Sequence, residues 1–568
     1  MLDPKKNRID YGEQLNPPDG YELEQAIGTT YSLDLEAQIL LPVALFYSQK
    51  LDGSPDELRY DVLDAITKAT DKITVYYQKG QLKVPKKYHC LMAYLEKGLE
   101  PVTMPNYFSS FHPKVWIARY TCKGQPIIYR LLVTSRNLTF ARDWDAAFST
   151  DGFVSNEEQP MEKPLVHFLN YLNSTGKKKI GNSFLQDLMK VKFEIPDKFE
   201  LLNFMPIGIE NPENGKSYIN SLTEDNSSWD EMLIVSPFLD KKTLDKLNQS
   251  VSKQAFLLSR KEELDVLPDE TLKKFNCWNF SKFIQEAEYY QELSEENILP
   301  LEQNLHAKIY VAMKEKIPYW YIGSANCSDP AQNRNIEFMV KLKGTNTAGL
   351  RTKDVFNILT GYAKSEGLTL FTPYDYNSKI SMTEQKSIDL DIRKIKYDLT
   401  LLPLSGKVKL IKGGTAYNLI IEIDARSFIL KDSYKVKFKP LSGQQKAAAE
   451  LEIGSTNIVD NFTGYPEVML STFLIFEIWK DNEKISQFLM SMDIELPKSR
   501  LNTVFSSIIN SKDNFLKYLN FLLTGEEAGK IENTNEPGKS KRVHLEMQNI
   551  MPLGKQVFEK LLIAASRY

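Results

Sequence analysis

An α/β fold of two lobes, each a mixed β-sheet flanked by helices, is what this chain of 568 residues predicts, with a mostly β, sandwich-like module and a helical tail behind them. Three observations predict it. Strand-like and helix-like segments alternate through residues 28–372. One arrangement of His, Lys, Ser and Asn recurs 194 positions apart (306 minus 112), so a domain-sized unit is duplicated. Beyond about Leu370 the pattern shortens to apolar–polar alternation between Gly and Asn/Asp turns.

Residues 1–27 form an N-terminal arm with no apolar core, so it does not read as a signal peptide. The first lobe, 28–200, opens with a strand at Gly28–Leu33 and an apolar helix at Asp34–Ser48. Asp56–Thr70 has helical periodicity and leads into a strand at Lys72–Tyr77. The segments FHPKVWIARY (Phe111–Tyr120) and RLLVTSRNLT (Arg130–Thr139) then read as a hairpin. The second lobe, 201–372, has a strand at Met232–Val235, a helix at Lys241–Ser250 and a strand at Gln254–Ser259. Its hairpin is LHAKIYVAMK (Leu305–Lys314) and YWYIGSANCS (Tyr319–Ser328). The module 373–497 reads as β from Asp389 onward, through runs such as YNLIIEID and YKVKFKP. The C-terminal region 498–568 is helical, with amphipathic stretches at Asn514–Leu523 and Gln556–Ala565 around the polar Thr524–Arg542, which reads as mobile.

Composition excludes several classes. Hydrophobic residues at 42% and charged residues at 26% are ordinary for a globular chain. The 71 Lys+Arg nearly balance the 74 Asp+Glu, so any nucleic-acid binding must use a local basic groove. Four scattered cysteines (Cys90, Cys122, Cys277, Cys327) without a CxxC pair argue against a disulfide scaffold or a zinc module, and the expected location is a reducing cytoplasm. The most apolar runs, Gln38–Phe46 and Val468–Trp479, fall short of the ~20 residues that span a bilayer, so no membrane partner is expected.

The chemistry lies in the repeat. Residues i and i+2 of a strand share a face, so His112 aligns with Lys114, His306 with Lys308, Ser135 with Asn137 and Ser324 with Asn326. Two such sets face to face supply two imidazoles, two ammonium groups and two amides around one point, an inventory suited to a phosphodiester. The lysines neutralise non-bridging oxygens, and the amides and hydroxyls donate to them. One imidazole can attack phosphorus while the other handles the proton of the leaving oxygen. With that positive charge in place and no dense Asp/Glu cluster in the sequence, neither a metal nor another cofactor is called for.

HxK followed by SxN, twice, resembles the phospholipase D superfamily. His306-Ala307-Lys308, Gly323-Ser324-Ala325-Asn326 and Asn335-Ile336-Glu337 form the closer copy. His112-Pro113-Lys114, Ser135-Arg136-Asn137-Leu138 and Asp143-Trp144 resemble its nuclease and tyrosyl-DNA phosphodiesterase-like branch. The family's aspartate five residues after the lysine is replaced by Arg119 and Met313, a departure that also points to that branch. The resemblance covers about Gly28–Lys343 and implies two phospholipase D-like lobes with one pseudo-twofold site. It implies His112 as nucleophile and His306 as general acid. Lys114, Lys308, Asn137 and Asn326 would bind phosphate, supported by Ser135 and Ser324. An acidic group is expected on the distal nitrogen of each histidine: Glu337 for one, and for the other Asp145, which lies at the position of Asn335 in the second copy. The implied activity is metal-independent cleavage of nucleic acid, DNA foremost, through a phosphohistidine. A large C-terminal addition would present DNA or dock a partner protein such as a motor ATPase or helicase, an arrangement that fits prokaryotic antiviral defence. The alternatives are a lipid phosphodiesterase and a catalytically inactive, DNA-binding or scaffold subunit.

The other histidines read as structural: His89 beside Cys90 in an apolar-periodic helix, His167 in an amphipathic helix, and His544 in a basic solvated stretch. Leu131–Val133 and Tyr319–Tyr321 read as strand core, and Lys177–Lys179 as a solvated helix start.

Overall fold

The computed structural model describes residues 14–47, 66–67, 70–139, 143–223, 228–281, 304–361, 370–378, 385–444 and 446–509. Most of Asp56–Thr70, His544 and both amphipathic stretches of the tail lie outside the described residues.

The first sheet contains β1 (Glu22–Thr30), β2 (Ile73–Gln78), β3 (Leu99–Val102), β4 (Val115–Thr121), β5 (Ile128–Thr134), β6 (Ala147–Val154) and β7 (Val191–Phe193), in the order β7-β6-β5-β4-β1-β2-β3. The second contains β8 (Phe199–Ile207), β9 (Trp229–Val235), β10 (Val251–Ser259), β11 (Asn276–Phe280), β12 (Ile309–Lys314), β13 (Ile317–Gly323), β14 (Glu337–Gly344) and β15 (Phe371–Pro373), in the order β8-β14-β13-β12-β9-β10-β11-β15. The run β6-β5-β4-β1-β2-β3 is repeated as β14-β13-β12-β9-β10-β11. Directions match as well: β1–β2–β3 and β9–β10–β11 are parallel, and the hairpin sides are antiparallel.

Both faces of each sheet are buried, which is why the strands are almost continuously apolar. In β4, Val115 and Ile117 point to the space between the sheets and Trp116 and Ala118 to the opposite side. In β9, Leu233 and Val235 point inward and Met232 and Ile234 outward. One core therefore joins the two sheets, and each sheet carries a second core behind it. The helix Lys163–Thr175 closes the inner core with Leu165, Phe168, Leu169 and Leu172, the i, i+3, i+4, i+7 stripe of an amphipathic helix.

The C-terminal module opens with a helix, Gln385–Thr400, where the sequence reading had β from Asp389. The stretch IDLDI alternates with period two, but Ile388, Ile392, Ile395 and Leu399 also fall on one helical stripe, and Ile395 and Leu399 are buried. The strands β16 (Leu404–Leu410), β17 (Ala416–Asp424), β18 (Tyr434–Pro440), β19 (Ala449–Glu450), β20 (Thr456–Pro466), β21 (Phe473–Lys480), β22 (Glu483–Ser491) and β23 (Asp493–Ile494) follow. One sheet runs β20-β17-β16-β23. The other runs from Leu33–Asp34 through Leu82–Lys83 to β22-β21-β18-β19, so two short strands of the N-terminal half complete it. Ile421, Ile423 and Phe462 pack against Val436, Phe438, Phe476 and Phe488 between these sheets.

Four local readings are corrected. Gly28–Leu33 is not one strand: β1 ends at Thr30, and only Leu33–Asp34 re-enters a sheet. Neither HxK lies on a strand; each sits in the extended segment just ahead of β4 or β12. His89 is not inside a helix but caps the 3-10 turn Cys90–Tyr94, its Nδ1 accepting from the Leu91 N–H at 3.2 Å. Lys177–Lys179 is a connection between two helices, with the Lys177 and Lys178 N–H groups donating to the Glu100 carboxylate at 2.7 and 2.9 Å. His167 lies on the helix Lys163–Thr175 with its Nδ1 2.8 Å from the Tyr218 hydroxyl.

Candidate active site

Each HxK segment leaves its own sheet and pairs with the other one. Phe111 bridges in parallel to Ile336, and the His112 N–H donates to the Ile336 carbonyl at 2.8 Å. Asn304–Leu305 pairs in parallel with Asp143–Trp144, and the His306 and Ala307 N–H groups both donate to the Trp144 carbonyl at 2.9 Å. The residue after each of these partner segments carries, or leads directly to, a carboxylate. Each histidine is thereby delivered to an acid of the opposite half. His112 Nδ1 lies 2.9 Å from Glu337 Oε2, and His306 Nδ1 lies 3.1 Å from Asp145 Oδ1.

The SxN segments hold those acids. Ser135 Oγ donates to Asp145 Oδ1 at 2.8 Å, and Ser324 Oγ donates to Glu337 Oε2 at 2.5 Å. The backbones match: Ser135 N–H donates to the Ala146 carbonyl and Ser324 N–H to the Phe338 carbonyl, at 2.9 and 3.0 Å. Asp145 thus corresponds in place to Glu337. The sequence reading set it against Asn335 because the serine-to-acid spacing differs, 135 to 145 in one half and 324 to 337 in the other. Asn335 instead donates to Glu337 Oε1 at 3.0 Å. Gly323 permits the closer copy: a Cβ there would stand 2.2 Å from the Phe338 carbonyl oxygen.

Lys114 Nζ lies 3.0 Å from both His112 Nε2 and the His112 carbonyl, and Lys308 Nζ donates to the His306 carbonyl at 2.5 Å. Both lysines are fully buried, while the histidine side chains keep a small opening to solvent. Burial pushes the Lys114 ammonium down to about 7, against the pull of Glu337 and Asp145, and pushes Lys308 well down, helped by the nearby Lys114 charge. His112 is pushed down to about 4 by burial, against Glu337, and His306 to about 3 by burial and Lys308. Burial alone would raise the Asp145 carboxyl, but the His306 hydrogen bond overrides it and holds the group below its ordinary value. Neutral imidazoles, each with Nδ1–H turned to a carboxylate, leave both Nε2 atoms for chemistry.

Asn137 and Asn326 end matching turns, their carbonyls accepting from Thr139 and Ser328 N–H at 2.9 Å. Their side-chain oxygens, and Asp145 Oδ2, are buried without a partner. Such groups cost about 1–3 kcal/mol each when unmet. Neither amide bonds to a lysine or imidazole within the described residues. Sequence reasoning missed Tyr31, whose ring centroid lies 5.3 Å from that of His112, and Arg260, which donates to the Leu305 carbonyl at 2.8 Å. Neither carries a local motif. Among the described residues no group of three or more His, Cys, Asp or Glu is placed to hold a metal ion, and no helix is long and apolar enough to cross a membrane.

No family model matches this chain, and no curated protein does. Solved structures similar to it include yeast tyrosyl-DNA phosphodiesterase, at 16% identity over 64% of this chain and 93% of that one, with a TM-score of 0.37. Polyphosphate kinase from Porphyromonas gingivalis matches at 13% identity over 66% of this chain and 49% of its own, with a TM-score of 0.32. Phosphatidylserine synthase from Haemophilus influenzae matches at 9% identity over 67% and 89%, with a TM-score of 0.33. Likenesses at this level do not decide a chemistry, so the side chains must.

Proposed function

We propose that the protein is a metal-independent phosphodiesterase of the phospholipase D type that cleaves nucleic acid through a phosphohistidine. The crossed imidazole–carboxylate pairs around two buried lysines carry this reading. His112 is assigned as nucleophile. Its Nδ1–H is fixed by Glu337, and its Nε2 lone pair lies beside the Lys114 ammonium, where a phosphate oxygen would sit. Nε2 attacks phosphorus, the P–N bond forms, and the P–O bond to the leaving group breaks. His306 Nε2–H gives its proton to that oxygen, with Asp145 stabilising the imidazolium until then. The neutral His306 then takes a proton from water, the water oxygen attacks phosphorus, and the P–N bond breaks. Lys114 and Lys308 neutralise the non-bridging oxygens as phosphorus becomes five-coordinate, and an incoming anion restores the proton affinity that burial removes from them.

The rim supports nucleic acid as substrate. Arg136 lies beside Asp145, and the rings of Phe108 and Phe238 are each 43% exposed, Phe238 beneath the Arg260 guanidinium. Cations with open aromatic faces suit a polyanion carrying bases.

The test is covalent capture. With a p-nitrophenyl nucleotide ester the leaving group needs no proton, so His306→Ala still forms the adduct but hydrolyses it slowly. Intact mass should show the nucleotidyl group on His112 in His306→Ala and none in His112→Ala. Absence of adduct under all conditions sinks the nucleophile assignment.

A further inference from the structure

The two halves of the site differ in one respect. In the second half, the residue after β10 is Arg260, and its guanidinium is committed to the Leu305 carbonyl at 2.8 and 2.5 Å, just ahead of His306. In the first half, the residue after β2 is Lys79. It turns away, and its Nζ donates to the Thr400 carbonyl at the end of the helix Gln385–Thr400. That helix in turn sends Arg393 back to the site. Arg393 Nη2 donates to Ser110 Oγ at 2.9 Å, two residues ahead of His112. The Tyr107 and Tyr397 rings, 6.4 Å apart, hold the same face of the helix against the loop.

Arg393 is exposed, Ser110 Oγ is its one hydrogen-bond partner among the described residues, and no described carboxylate pairs with it. A guanidinium has five N–H donors in a planar fork suited to phosphate. An arginine brought from a different module to the lip of a phosphodiester site, with most donors uncommitted, is placed for a second anion. We propose that Arg393 binds the phosphate adjacent to the scissile one, so that the C-terminal module selects a polyphosphodiester backbone over an isolated diester. This rests on the nucleic-acid reading above and goes further by naming the contact.

The experiment compares full-length parent, Arg393→Ala and Arg393→Lys on a single-stranded oligonucleotide, on bis(p-nitrophenyl) phosphate and on phosphatidylcholine vesicles. The proposal expects Arg393→Ala to lose roughly tenfold in kcat/KM on the oligonucleotide through KM, the worth of one charge-assisted contact. The ratio of oligonucleotide to small-diester efficiency should fall by the same factor, and the salt dependence should flatten by about 0.7 in log–log slope. Arg393→Lys should recover part of both. Equal loss of kcat on oligonucleotide and small diester would show Arg393 merely positioning Ser110 and His112, and would overturn the proposal. So would unchanged kinetics in a variant that melts like the parent. A parent that hydrolyses vesicles or the small diester but no oligonucleotide would instead overturn the nucleic-acid reading, and this inference with it.

Discussion

Lys114 sets the pH behaviour of the site. Its ammonium, pushed down to about 7 by burial, is lost from the free protein as pH rises through that value, so kcat/KM on a diester should fall above pH ~7. The stability effect has its own sign. Folded histidines near 4 and 3, against an ordinary ~6.5, bind fewer protons than the unfolded chain between those values. Stability contributed by neutral His112 and His306 is therefore lost as pH falls from ~6.5 toward 4. Melting curves across that window should show the loss, and a His112→Asn/His306→Asn variant should show less of it. Lys114→Ala should raise the barrier by about 3–4 kcal/mol, as for loss of one preorganised charge donor, checked by kcat on a nitrophenyl diester; an unchanged rate would remove Lys114 from the site. At this scale the sequence was informative because HxK and SxN are local. Two residues fix the relation of His112 to Lys114 whatever the tertiary fold. The exchange of acids between halves was not legible, because Glu337 is 225 positions from His112. Asp145 was noticed, but it was set against the wrong residue by a three-residue difference in spacing.

Between elements, the structure depends on a few buried polar joints. Glu96 accepts from both Arg500 Nη atoms at 2.7 and 2.8 Å, and from Ser471 Oγ at 3.0 Å, with the Arg500 and Glu96 side chains each 6% exposed. The pair pins the helix Arg500–Ile509 to the turn between β2 and β3. Glu96→Gln leaves a buried guanidinium uncompensated and should cost about 3–5 kcal/mol in denaturant unfolding. Gly323→Ala should push β13 from β14 and lengthen the Ser324–Glu337 bond. Its effect should appear first as lost turnover at a nearly intact melting temperature. The helix Gln385–Thr400 shows why element type is less legible than motif. A segment with charges between every apolar residue satisfies the strand and helix templates together, and only its packing through Ile395 and Leu399 decides. The strands Leu33–Asp34 and Leu82–Lys83 are too short to carry any period.

Across the whole molecule, three cores are stacked through two sheets, and the C-terminal module is not an appendage. Phe473, Ile475, Leu489 and Val504 share a core with Trp116, Leu132 and Tyr77 behind the first sheet. Ending the chain at residue 378 would expose that core, so the truncated protein should aggregate, and calorimetry of the full chain should show the first sheet and the module melting together. Cleavage of oligonucleotide by the full chain should persist in EDTA; strict dependence on added Mg²⁺ would reject the lysine-based mechanism. The duplicated strand order was legible because both halves are long and repeat their chemistry. The sheet shared between residues 33–34, 82–83 and the module was not, since no local pattern announces a partner nearly four hundred residues away.

The exchange of acids between His112 and His306 acts as a safety catch during synthesis. A ribosome that has released only the first two hundred residues has made His112 and Lys114 but not Glu337, so the imidazole lacks the carboxylate that orients it. Asp145 likewise waits for His306. A hydrolase that would be harmful if loosed early on the cell's own nucleic acid is thus kept chemically silent until its second half has docked.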